Sequence, residues 1–211
     1  MAVYIFLLAV LLFLVSFRLK FKRLEFENRS TYVYPGYWLG VILVILIAGL
    51  RDGGGVDYFS YVRIYETLGT DFYTSEKLEK GFYYLNSVSK LFGLGAEFVI
   101  FVSFLITFFL ISLTIKRYSS SHPLSFLIMF SNEIVFLFQN VIRQGVAVAF
   151  CFYSLKFILE RKFWLFFFTV TIATLFHKSA LIFYPTYLLV IRLSRLLVLG
   201  GYFLSLYFLY D

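Results

Sequence analysis

Charged residues and chain breakers are scarce in this sequence. Of 211 residues only 15% are charged, three are proline and one is cysteine, whereas an ordinary soluble domain is about a quarter charged. With 61% hydrophobic residues and a mean hydropathy of +0.86, the composition excludes a soluble globular domain and points to an integral membrane protein. The lone cysteine, Cys151, cannot close an intrachain disulfide, and it stands in an apolar run. No His/Cys cluster has zinc spacing and no serine sits in a nucleophile-elbow pattern, so the signatures of zinc chemistry and of Ser/His/Asp hydrolysis are missing. Short segments of alternating polarity are missing too. That excludes the outer-membrane barrel and leaves a helical bundle.

Long apolar runs fill the space instead. A span needs about 20 apolar residues, so this length holds about eight in a single transmembrane domain, residues 1–211, with an all-α polytopic architecture. The runs cover residues 1–17, 37–50, 96–115, 123–138, 146–159, 163–176, 180–191 and 196–210, and a re-entrant later segment would change the count. A net charge of +7 would suggest nucleic acid in a soluble chain, but here the basic residues end the apolar runs, so no nucleic-acid partner is expected. Arg18, Lys20, Lys22, Arg23, Lys116, Arg117, Arg161, Lys162, Arg192 and Arg195 fall on alternate turns, which the positive-inside rule assigns to the cytoplasm. The amino terminus and the loop 51–95 are then outside. Within that loop Tyr58, Tyr61, Val62 and Tyr65, and again Phe82, Leu85, Val88 and Phe92, recur at helical spacing, which predicts two amphipathic helices with aromatic faces at the headgroup level.

Polar residues that invite chemistry gather at the outer ends of the spans. Arg51 and Asp52 close the second run, and Gly53, Gly54 and Gly55 after them permit a tight turn near a ligand. The turn is neither a P-loop nor an EF-hand, and Arg51 either meets a ligand or snorkels and pairs with Asp52. Arg143 stands between two apolar runs in FQNVIRQGVAVAF, beside Gln139, Asn140 and Gln144. Such a residue costs about 2.5 to 3.5 kcal/mol to insert, so it faces a ligand or an ion-pair partner, for which Glu133 is the candidate. Gly145 and Ala149 form a small-xxx-small pair that admits a close neighbouring helix. His177, in LFHKSALIFYP, is either a base or an interfacial side chain, and His122 is expected only to help start the fourth span with Ser119 to Ser121 as capping candidates.

At these residues the chain resembles a known family. The order GLRDGGGVDYFSYVRIYE from Gly49, EKGFYYLNSVSKLFG from Glu79, NVIRQGVAVAFCFYSLKFI from Asn140 and LFHKSALIFYP from Leu175 is similar to the EpsG family of Wzy-like polysaccharide polymerases, over most of the chain. The resemblance implies a GT-C type membrane glycosyltransferase that polymerises exopolysaccharide, capsule or O-antigen repeat units carried on undecaprenyl pyrophosphate, at the outer face of the bacterial inner membrane. It implies that lipid-linked oligosaccharide, membrane lipid and other polysaccharide export or assembly proteins are partners, without a cofactor or metal. The family's arginine before the first-loop aspartates falls on Arg51, with Asp52 beside it. Its loop aspartate falls on Asp57, its loop glutamate on Glu79, its fifth-span arginine on Arg143 and its histidine on His177. Arg51, Arg143, Asp52 and Glu79 are then substrate-binding, and His177 or Asp57 is the general base. Lys80 replaces the proline common after that glutamate, and the end at Asp211 suggests a fragment or truncated family member. A transporter or flippase of lipid-linked oligosaccharide and a non-catalytic membrane subunit are the rival readings. Gathering of polar residues at one face favours chemistry there over passage.

Overall fold

A computed structural model describes residues 2–17, 19–21, 31–51, 53, 55–69 and 78–190. Two helices open the chain, α1 (Ala2–Ser16) and α2 (Gly36–Gly49), joined through an antiparallel ribbon of β1 (Leu19–Phe21) and β2 (Thr31–Val33) with Lys20 opposite Tyr32. The ribbon corrects the purely helical expectation, since Thr31, Tyr32 and Val33 favour extended backbone. Close approach of α2 to α1 needs the two glycines of GYWLG: a Cβ on Gly36 would lie 2.5 Å from the Leu14 carbonyl oxygen, and one on Gly40 2.8 Å from a Leu11 methyl.

After α2 come α3 (Tyr58–Thr67) and α4 (Lys80–Leu91), then α5 (Gly95–Tyr118), α6 (His122–Ser131), α7 (Ile134–Asn140), α8 (Ile142–Leu159) and α9 (Phe163–Phe176). A 3₁₀ helix over Lys178–Val190 follows where a seventh α-helical span was expected, with Pro185 inside it. The eighth run, 196–210, lies outside the described residues, as do Asp52 and residues 70–77. The fourth run is broken: Glu133, with φ 58°, takes a left-handed conformation between α6 and α7.

One core joins Leu7, Leu11 and Val15 of α1 to Val41 and Val44 of α2, Phe104 and Phe108 of α5 and Phe126 of α6. A second packs Phe157 and Ile158 of α8 on Phe166 and Val170 of α9. The outer surface is as apolar as the interior: on α1, Ile5, Phe6 and Phe13 are exposed while Leu7, Leu11 and Val15 are buried. Helices apolar all round suit a lipid surrounding. Only α5 and α8 among the described helices have both the length and the apolarity to cross a membrane, at 24 and 18 residues; α1, α2, α6 and α9 are apolar but shorter. This fits a membrane helical protein.

The two ends of the bundle differ in chemistry. At one, Lys116 lies over the Trp38 ring, and Glu160 binds Arg117 and Lys162, both at 2.8 Å. At the other, α3 and α4 cover the first turns of α5 and α8, burying Tyr58, Tyr61 and Phe82 against Val99, Ile100 and Ile142. The two loop helices thus exist as expected, with Tyr58, Tyr61 and Phe82 turned into the bundle. On α4 the buried stripe is Phe82, Asn86 and Ser89, with Val88 and Phe92 exposed. Polar side chains occupy this stripe because they bond backbone: the Asn86 amide donates to the Phe82 carbonyl and the Ser89 hydroxyl to the Gly95 carbonyl, at 2.8 and 2.7 Å.

Candidate functional site

The chain leaving α2 is pinned to the junction between α7 and α8. The Arg51 guanidinium donates to the Gln139 carbonyl, and the Val56 N–H donates to Asn140 Oδ1 at 3.0 Å. Gly55 between them has φ 105°, and a Cβ there would stand 2.5 Å from Asn140 Oδ1 and 2.8 Å from Arg51 Nη1, so no other residue fits the turn without displacing both. The Gln139 amide is itself anchored, donating to the Ala48 carbonyl at 3.0 Å and to the Tyr4 hydroxyl at 3.1 Å. Burial pulls the pKa of Arg51 below its ordinary value, with nearby tyrosines opposing; a guanidinium still remains cationic at neutral pH.

Beside this turn, three elements converge on one carboxylate. Glu79, immediately before α4, places Oε2 at 2.5 Å from Arg143 Nη1 and Oε1 at 3.3 Å from His177 Nδ1. Arg143 belongs to the first turn of α8, which begins four residues earlier than the apolar run 146–159 suggests, and His177 ends α9. Contact between α4 and α9 depends on Gly81, where a Cβ would lie 2.8 Å from the Leu175 carbonyl oxygen. Glu79 is almost enclosed, with 9% of its side chain exposed, while Arg143 and His177 each keep about 30% (29% and 31%). His177 Nδ1 is fully buried and makes no hydrogen bond, so the ring's exposure lies on its other atoms. The Arg143 guanidinium also sits 5.8 Å from the centre of the Phe82 ring.

Tyr61 links the two arginines. Its hydroxyl lies within electrostatic reach of both Arg143 and Arg51. Burial raises the pKa of the phenol, and Arg143 opposes the rise. Asp57 stands half-buried at the start of α3 without capping it, close enough to Tyr61 to add to that rise. Glu133, the expected partner of Arg143, is exposed at the α6–α7 break, and Glu79 takes its place. Sequence reasoning missed Tyr61 and the anchoring by Gln139 and Asn140; the uncharged amides of FQNVIRQ were the available signal. Among the described residues no cluster of His, Cys, Asp or Glu has metal-site geometry.

Half-buried guanidinium groups with spare donors suit oxyanions, and an imidazole beside a carboxylate suits proton transfer. Both lie at the end of α8 that carries the positive pole of its dipole. No curated protein and no solved structure matches the chain. The EpsG family model matches residues 36–210. This span takes in every element from α2 to the 3₁₀ helix, and the chain belongs to the EpsG family, a group of polymerase-like membrane proteins associated with exopolysaccharide.

Proposed function

We propose that the protein is a membrane glycosyltransferase that polymerises oligosaccharide repeat units carried on undecaprenyl pyrophosphate for exopolysaccharide, capsule or O-antigen. The observation that carries this reading is the gathering of Arg143 and His177 about the Glu79 carboxylate at one end of the bundle, with Arg51 at the adjoining turn. In the reaction the acceptor hydroxyl oxygen attacks the anomeric carbon of the donor sugar. The bond from that carbon to the pyrophosphate oxygen breaks, and its electron pair stays on the pyrophosphate. Arg143 and Arg51 bind the pyrophosphate and oppose the charge that grows on it. His177, whose Nδ1 lies 3.3 Å from the Glu79 carboxylate, takes the acceptor proton on Nε2, and its place beside Arg143 favours it over Asp57 as the base. Glu79 is therefore assigned to positioning and not to contact with substrate. No cofactor is required.

In this reading the chain is one polytopic domain of the bacterial inner membrane, with about eight spans of GT-C type and the end that carries Arg51 and Arg143 facing outward. Short helices such as α2 span by thinning the bilayer locally. A transport path lined with polar groups is disfavoured by what the buried hydroxyls do: Ser103, Thr107 and Thr114 of α5 and Thr169 of α9 each donate to a carbonyl of their own helix.

The test is polysaccharide chain length in cells where this polymerase is the sole source, with membrane levels checked by immunoblot. Arg143→Ala and Arg143→Lys are both expected to abolish long chains, since lysine keeps the charge but loses the planar fork. Normal chain length in both would remove Arg143 from the site.

A further inference from the structure

Arg51 also lines a second recess. It is a cleft of about 180 Å³ between the end of α2 and the first turns of α5, lined by Gly49, Leu50, Arg51, Glu97, Phe98 and Phe101. Drug-sized ligands occupy roughly 300 to 1,000 Å³, so the cleft has room for a single small ring. Phe101 is packed against the backbone of α2, its ring carbon 3.0 Å from where a Gly49 Cβ would stand, so its orientation is held. Glu97 folds back over its own first turn, Oε2 lying 2.5 Å from where a Cβ on Gly95 would stand.

Arg51 and Glu97 line the cleft with opposite charges and form no ion pair: Arg51 donates to the Gln139 carbonyl, and Glu97, exposed at the rim, has no hydrogen bond or ion pair among the described residues. The cleft therefore offers a cationic donor, an anionic acceptor and an aromatic floor at the same time. An anion such as pyrophosphate is repelled by Glu97. A neutral polyol satisfies both charges, its hydroxyls donating to the carboxylate and accepting from the guanidinium, while its C–H face rests on the electron-rich faces of the phenyl rings.

We propose that this cleft binds the terminal sugar ring of the acceptor, with Glu97 and Arg51 on neighbouring hydroxyls and Phe98 and Phe101 under the ring. The proposal rests on the glycosyl-transfer reading. The donor pyrophosphate is held by Arg143 and Arg51, and Arg51 is thus shared between donor and acceptor. Glu97 selects an uncharged ring there and sets which sugar is extended.

The repeat-unit oligosaccharide released from its lipid by mild acid serves as probe. Purified protein in detergent is given lipid-linked repeat units as donor and the free oligosaccharide as acceptor at varied concentration. For Glu97→Gln the acceptor KM is expected to rise about tenfold, the loss of one charge-assisted hydrogen bond, while the donor KM holds. Phe101→Leu keeps the packing on α2 and is expected to raise the acceptor KM as well. Saturation-transfer NMR of the free oligosaccharide on the same proteins reads binding without turnover, and its signal is expected to fall in both variants. An unchanged acceptor KM and an unchanged NMR signal would overturn the subsite while leaving the transferase reading intact. Absence of transfer by the wild-type protein would overturn the transferase reading instead, and the NMR response of the variants would still decide whether the cleft binds sugar.

Discussion

Glu79 sets the geometry at the scale of the single residue. Its two oxygens reach different elements, one bonding Arg143 on α8 and the other lying 3.3 Å from His177 Nδ1 at the end of α9, so one carboxylate brings a cation and an imidazole together. Removing it strands a partly buried guanidinium and frees the ring, and Glu79→Gln is expected to lower transfer strongly through loss of position. His177→Gln keeps size and hydrogen bonding but cannot titrate near neutral pH. It should bind donor normally and transfer at least about a hundredfold slower in single-turnover assays; near-wild-type turnover would assign the base to Asp57. The opposite end of the bundle carries a pH effect of its own. Lys162 first, and Arg117 with it, hold the Glu160 carboxylate below its ordinary pKa. A depressed pKa in the folded state means that the pairs stabilise above the ordinary glutamate range and lose that contribution as pH falls through the folded value. Thermal melts in detergent from neutral to acid pH should therefore fall slightly less for Glu160→Gln than for the parent, more visibly at low salt.

At the scale of the element, apolar runs read directly as helices where nothing interrupts them. The run 163–176 coincides with α9, and 37–50 nearly coincides with α2. Hydropathy alone hides breaks, because Glu133 costs little in an averaged window yet adopts φ 58° and splits the fourth run into α6 and α7. The same averaging misplaced the buried stripe of α4, where Asn86 and Ser89 go inward on backbone hydrogen bonds that no pattern of apolar residues reveals. Site residues were legible as types, since arginines in membrane segments are conspicuous, but their pairing was not: Glu79 and Arg143 are 64 positions apart. Gly145 and Ala149 do lie at a close packing position, Gly145 facing Thr107 of α5 and Phe138 of α7. Gly81→Ala tests how tightly elements position the cluster. Its methyl would meet the Leu175 carbonyl oxygen, and overpacking of this kind costs about 1 to 3 kcal/mol. Both a lower melting temperature and slower transfer are expected; unchanged values in both would mean that α4 shifts without disturbing Glu79.

At the scale of the whole molecule, the polar residues divide between two ends, and the proposed chemistry requires the end that carries Arg51 and Arg143 to face outward. Single cysteines in a Cys151→Ala background read this orientation. Val56→Cys, at a strongly exposed position, should react with an impermeant thiol reagent in intact cells, and Ser120→Cys at the opposite end should not. The reverse pattern would put the site in the cytoplasm. The most direct measurement is the release of undecaprenyl pyrophosphate by the purified protein supplied with lipid-linked repeat units, followed together with chain length. Polymerisation at the Arg143 cluster is expected to release one carrier for each linkage made, and Arg143→Ala is expected to abolish both. Carrier that crosses a liposome bilayer without release, or release that is indifferent to Arg143, would contradict glycosyl transfer at this site.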